Sequence, residues 1–309
     1  MRALHSRNLT AWAVGIMSTI LMAGVPTIAG AEAAEPAVDC RNFASLYSAD
    51  EDGRLYERSH SRPTEGQGFW DSAIGSIGSG VTGNMLAGTD GLMYQIKPDG
   101  IVEAYRHIGG RSWYQWEDGS YSRNISTTLG GYTDPVWRKR ITVDSNGTFY
   151  LIRGNNQLYR ATVDIEGLEF RQQSIAEDWS RFDAITAAGP GVLYARESDG
   201  TLYRFHYEES SQRWIDEGTH VDDGWDRYTA FVSPGADILY AVDTESGGVY
   251  WHRFFPYSEE TVEPRLMVVA GTHDYRVAMP SDSCAWIPPT EDTTPESGAA
   301  TKPGSTEGA

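Results

Sequence analysis

Five tyrosine–turn–tyrosine units, spaced a little under fifty residues apart and each carrying a tight turn, predict an all-β chain folded as a β-propeller. The leading aromatics are Tyr47, Tyr94, Tyr150, Tyr194 and Tyr240, with gaps of 47, 56, 44 and 46 residues. Each is followed by a second aromatic: Tyr56, Tyr105, Tyr159, Tyr203 and Tyr250. The turns between them are Glu51-Asp52-Gly53, Pro98-Asp99-Gly100, Gly154-Asn155-Asn156, Ser198-Asp199-Gly200 and Ser246-Gly247-Gly248. The clearest copy runs from Trp179-Ser180-Arg181-Phe182 through Val192-Leu193-Tyr194-Ala195 to Thr201-Leu202-Tyr203-Arg204. Its strands are rich in β-formers, and its turn glycine accepts positive φ at no steric cost. So small a sheet cannot bury both its faces, and the copies must stack on one another.

In chain order, residues 1–33 read as a signal peptide: Arg2 and Arg7 precede an apolar run over 11–25, and Ala29-Gly30-Ala31 and Ala31-Glu32-Ala33 offer small-x-small cleavage sites. Ser18, Thr19, Gly24 and Pro26 interrupt that run, which argues against a retained anchor. Ala37-Val38-Asp39 before Cys40 is no lipoprotein signal, because aspartate stands where a small residue is needed. The mature chain is therefore expected to be secreted, with no membrane span. The formal charge of −18 repels phosphate backbones and excludes nucleic acid as a natural partner.

The 2 cysteines, Cys40 and Cys284, bracket the repeats. In an exported chain they are expected to form a disulfide. The first copy, Phe43-Ala44-Ser45-Leu46-Tyr47, lacks a preceding strand, whereas the last is followed by a spare one, His273-Asp274-Tyr275-Arg276-Val277-Ala278-Met279. The C-terminal strand is thus expected to complete the first blade and close the ring, the disulfide replacing the missing loop. The propeller is placed at 34–285, and the Pro-, Thr- and Gly-rich residues 286–309 are expected to be disordered.

A second element recurs between the tyrosine pairs: Phe69-Trp70 before Ile77-Gly78-Ser79-Gly80, Phe170 before Ile175-Ala176-Glu177-Asp178-Trp179, and Trp214 before Val221-Asp222-Asp223-Gly224-Trp225. Val268, Gly271 and His273-Asp274-Tyr275 repeat it more loosely, while residues 113–134 form a longer insertion before Trp137. Outer Trp, Ile-Gly-x-Gly, Trp-x-x-Phe, Leu-Tyr-Ala, turn, Leu-Tyr: this order resembles the tachylectin-type β-propeller over about residues 40–284. The resemblance implies five four-stranded antiparallel blades and binding of N-acetylated amino sugars, such as N-acetylglucosamine or N-acetylgalactosamine, at blade interfaces. The chain departs from the pattern where the glycines before the inner-strand Trp become Glu177-Asp178 or Asp223-Gly224, and where Gly80-Val81 has no Trp at all.

Catalytic and metal chemistry finds little support. The 7 histidines are scattered, and no Gly-x-Ser-x-Gly turn, phosphate loop or complete calcium loop is present, so no catalytic residue, metal or cofactor is expected. The candidate ligand-binding residues are Asp178, Trp179, Asp223, Trp225, Asp274, Tyr275 and Trp137. A flat aromatic face stacks on the C–H face of a sugar, and a neighbouring carboxylate fixes a hydroxyl. Repetition of one loop type favours a monomeric, multivalent lectin without catalytic activity. Two alternatives are a propeller glycan hydrolase or lyase using the central channel with 113–134 as its loop, and a protein-binding envelope scaffold.

Overall fold

The computed structural model describes residues 37–67, 69–71, 75–166, 168–256, 265–268 and 276–287. The expected signal peptide, most of the expected tail, and Asp274 and Tyr275 lie outside the described residues.

Five antiparallel sheets of four strands surround a central channel, as the repeats predict. Blade two is the simplest: Asn84–Ala87 innermost, then Leu92–Ile96, Val102–Arg106 and, at the rim, Arg123–Ser126. Blade three runs Ile141–Val143, Phe149–Ile152, Leu158–Asp164, Glu169–Ala176. Blade four runs Phe182–Ala187, Val192–Glu197, Leu202–Glu208, Arg213–Asp222. Blade five runs Tyr228–Gly235, Ile238–Asp243, Val249–Arg253, Arg265–Val268. Blade one draws its inner strand, Arg276–Ala278, from the far end of the chain. Its second and third strands are Phe43–Ala49 and Leu55–Ser61, with a broken rim, Trp70–Asp71 and Ser76–Gly78.

Second strands such as Leu92–Ile96 and Ile238–Asp243 are buried along their whole length. A neighbouring blade covers each face, so both side-chain sets of the pleat are mostly apolar, with Gln95 and Asp243 the polar residues of these two strands. Rim strands such as Glu169–Ala176 are largely exposed. Among the described residues there are five hydrophobic clusters, each straddling one blade interface. The leading tyrosines sit in these clusters and the following tyrosines are half-buried. Buried phenols need partners. Tyr194 donates to Asp237 Oδ1 at 2.7 Å, Tyr150 to Asp144 Oδ2 at 3.3 Å, and Tyr240 pairs with His60 Nδ1 at 2.6 Å.

The turn residues do more than reverse the chain. Gly53, Gly100, Asn156 and Gly200 all have positive φ, Asn156 replacing glycine at 65°. Their carbonyls accept the backbone N–H of the residue that enters the next blade: Val81 at 3.1 Å, Leu129 at 3.4 Å, Trp179 at 2.8 Å and Trp225 at 2.9 Å. This bond fixes the structural equivalence of the copies. Leu129, not Trp137, is the equivalent residue at the entry to blade three, because the turn at Gly130–Thr133 intervenes before Trp137.

Ring closure follows the expected pairing, with Tyr47 opposite Ala278 and Ala49 opposite Arg276. Cys40 and Cys284 are bonded. They lie directly opposite one another in a two-stranded ribbon, Ala37–Cys40 with Cys284–Ile287, and Cys284 also pairs in parallel with Gly235 of blade five. The tail boundary at 286 is thereby corrected. Trp286 and Ile287 belong to that ribbon, and Trp286 Nε1 donates to Asp237 Oδ2 at 2.6 Å.

Candidate functional site

The junctions of blades one and two, three and four, and four and five are built alike, which makes their differences readable. At the junction of blades three and four, Trp179 is 4% exposed and packs on Phe182, Phe205 and Trp214 with ring centroids 4.9, 4.6 and 5.9 Å away. At the junction of blades four and five, Trp225 is 1% exposed among Tyr228, Phe231, His252 and Phe254. Its indole N–H donates to Asp222 Oδ2 at 2.9 Å. Both indoles therefore pack as plugs within the interfaces, almost wholly buried.

The carboxylates beside them are placed differently. Asp178 and Asp223 are both exposed, and His220 Nε2 lies 3.1 Å from Asp223 Oδ1. Asp178 has φ 58°, matching the positive φ of Gly80 and Gly224 at the same step of the loop. That shared conformation explains why glycine recurs there. Trp137 is half-buried against the cluster between blades two and three, with the Arg140 guanidinium 4.8 Å over its ring.

The junction of blades one and two has the same walls without the plug. Trp113 donates its indole N–H to Ile77 O at 3.1 Å, as Trp214 does to Ile175 O at 3.3 Å. Tyr105 and His107 stand 6.1 and 5.1 Å from Trp113, as Phe205 and Tyr207 stand 5.8 and 5.2 Å from Trp214. In the slot filled by Trp179 there is only Val81. The space left is a groove of about 610 Å³. Leu55, Val81, Met85 and Met93 form its apolar lining, Tyr105, Trp113 and Tyr121 its aromatic walls, and Gln95, Arg111, Ser79 and Ser112 its polar groups. Gln95 Nε2 donates to Gly80 O at 3.0 Å and Thr82 Oγ1 at 3.2 Å, bracing the loop over the opening. Burial and the hydrogen-bonded Glu103 push the Tyr105 phenol pKa up, so it stays neutral.

The volume falls in the range of small-molecule sites, and the mix of apolar surface with few polar groups is typical of them. None of its lining residues was among the sequence candidates. The available signal was a retained outer tryptophan, Trp113, facing a missing inner one at Val81. Residues 113–134 run along the rim of blade two, and their Trp113 and Tyr121 face this groove. Among the described residues no three His, Cys, Asp or Glu side chains converge to hold a metal ion.

Five four-stranded blades, a closing strand from the chain terminus and grooves between the blades define a five-bladed, lectin-like β-propeller. The chain belongs to the Tachylectin family, whose model matches residues 44–268. Among solved structures, a symmetrical protein studied for its de novo evolutionary emergence under folding constraints aligns with a TM-score of 0.53 and 17% identity, over 77% of this chain and 99% of that one. At that identity the likeness shows the fold alone. The six-bladed fucose-recognising lectin of Aleuria aurantia aligns at TM-score 0.39 and 13% identity, over 79% and 86% of the two chains. A nidogen/laminin complex chain aligns at 0.42 and 12%, over 77% and 97%. Neither of these two bears on what this chain binds. Comparison with curated protein sequences finds no match.

Proposed function

We propose that this chain is a carbohydrate-binding propeller that recognises glycans carrying N-acetylated amino sugars, with the groove between blades one and two as its deepest site. The observation that carries this reading is the 610 Å³ aromatic-walled groove left where Val81 replaces the plugging tryptophan. Tyr105 and Trp113 supply faces for the C–H side of a sugar ring. Met85 and Met93 supply an apolar floor for an acetamido methyl group. Ser79, Gln95, Arg111 and Ser112 supply polar groups for hydroxyls. Asp178 and Asp223, exposed at plugged interfaces, serve as rim contacts for shallower secondary sites, joined by Trp137; Asp274 and Tyr275 remain candidates on their sequence pattern alone. Weak sites on one chain gain avidity on a multivalent glycan. Export belongs to the same reading, supported by the Cys40–Cys284 disulfide, a bond that persists in oxidising compartments.

Two measurements test it. A glycan array followed by calorimetric titration with N-acetylglucosamine and N-acetylgalactosamine should show binding, and an array with no hit overturns the reading as a lectin. Val81→Trp should refill the slot as Trp179 and Trp225 do. It is expected to melt at or above the wild-type temperature while losing at least tenfold in affinity for the monosaccharide. Unchanged affinity in a well-folded Val81→Trp protein moves the site away from this groove.

A further inference from the structure

The central channel carries a charge arrangement at odds with the rest of this acidic chain. The inner strands of all five blades line a cavity of about 90 Å³, with Leu86, Thr142, Ile185, Phe231 and Val277 among its walls. Three cations also line it: Arg138, Lys139 and Arg276. Arg276 and the segment carrying Arg138 and Lys139 flank the start of blade two's inner strand from either side. Arg276 Nη1 donates to Gly83 O at 3.3 Å and Nη2 to Asp50 O at 2.8 Å. On the other side, Asn84 Nδ2 donates to the Arg138 carbonyl at 2.9 Å.

The carboxylates nearby are already engaged. Asp183 is held bidentately by Arg196 at 2.9 and 2.8 Å. Asp50 accepts from the Arg54 N–H at 2.8 Å and the Tyr56 hydroxyl at 3.0 Å. Among the described residues, neither Arg138 nor Lys139 makes an ion pair. Burial, and then the neighbouring Arg196 charge, lowers the Lys139 pKa; burial, and then the Arg138 charge, lowers that of Arg276. Like charges gathered in a partly desolvated mouth repel one another unless a counter-charge enters.

We propose that the channel mouth formed by Arg138, Lys139 and Arg276 binds a small oxyanion, of the phosphate or sulfate class. The size of the cavity sets the class: there is room for a few waters, not for a pyranose ring. Guanidinium groups match the geometry of such oxyanions, and Lys139 adds a point charge. The site is separate from the groove between blades one and two and does not depend on what that groove binds. The oxyanion arrives either free in solution or as the terminal group of a glycan.

The test uses the full chain at constant ionic strength set with sodium chloride. Inorganic phosphate or sulfate at ten times its Kd should raise the melting temperature by about 3 °C, with matching heat in calorimetry. The Arg138→Gln/Lys139→Gln double variant should lose that response. In chloride alone it should melt no lower than wild type, because repulsion has been relieved rather than packing lost. N-acetylglucosamine 6-sulfate set against N-acetylglucosamine, in a Val81→Trp background, separates the two sources: a response to the sulfated sugar alone marks a glycan-borne group. Wild-type protein that shows no rise with phosphate, sulfate or the sulfated sugar overturns the proposal, as does a double variant that keeps the full rise.

Discussion

Two buried histidines show how single residues set the response to acid. His60 stacks on Trp70 at 5.0 Å and pairs with the Tyr240 hydroxyl; burial lowers its pKa to about 4. His252 lies 4.6 Å from Trp225 and pairs with the Tyr228 hydroxyl at 3.1 Å; burial, then the Arg227 charge, lowers its pKa to about 3. Both titrate near 6.5 when unfolded. Between that pH and their folded values, the unfolded state binds more protons. The stability they allow is complete above pH 6.5 and is lost as pH falls toward 4 and 3, by up to about 2 kcal/mol per histidine at pH 5. His252→Phe places in blade five the side chain that Phe205 supplies to the equivalent position of blade four, and it should flatten the slope of urea-unfolding free energy between pH 6.5 and 4.5. A slope unchanged by the substitution assigns the acid sensitivity elsewhere.

At the scale of elements, the terminal ribbon Ala37–Cys40 with Cys284–Ile287 is the piece no repeat anticipates. It is anchored by chemistry rather than by length. Asp237 is fully buried and accepts from Arg204 Nε at 2.7 Å, the Tyr194 hydroxyl at 2.7 Å and Trp286 Nε1 at 2.6 Å. One carboxylate thus ties blade four, blade five and the ribbon together. A buried charge needs all its partners. Trp286→Phe keeps an aromatic body but removes the N–H donor, and should cost about 1–3 kcal/mol in chemical denaturation. Trp286→Tyr should cost less if its hydroxyl reaches Asp237. Equal melting of all three proteins would show that the ribbon contributes nothing through this bond.

For the whole molecule, the ring closes at blade one. Its inner strand meets the second through three residue pairs, Tyr47–Ala278 to Ala49–Arg276, although the two segments lie at opposite ends of the propeller sequence. The Cys40–Cys284 bond, with a sequence separation of 244, restricts the unfolded chain and so reduces the entropy gained on unfolding. Replacing both cysteines by alanine should destabilise the fold by about 2–5 kcal/mol. Melting of the wild type with and without a reductant checks this, and should reproduce the difference. A reduced protein that melts with the oxidised one means that the strand pairing alone holds the ring.

The repeat count, the turns, the closing strand and the disulfide were legible in the amino-acid sequence because each rests on local or strongly periodic features. Gly53, Gly100 and Gly200 mark turns by their own backbone freedom, and Tyr94, Tyr150 and Tyr194 mark strands buried on both faces. The spare strand after residue 273 announces closure by simple counting. The site was not legible in the same way. A tryptophan in a repeated loop has one appearance in sequence, whether it plugs an interface or lines it. Only the packing of residues far apart in the chain makes Trp179 and Trp225 plugs and Trp113 a wall. What sequence alone determined is the propeller and its closure, because they follow from backbone conformation and periodic burial. What the tertiary structure decided is that the interface of blades one and two is open, because an empty space at Val81 is defined by its neighbours and not by the residue that stands there.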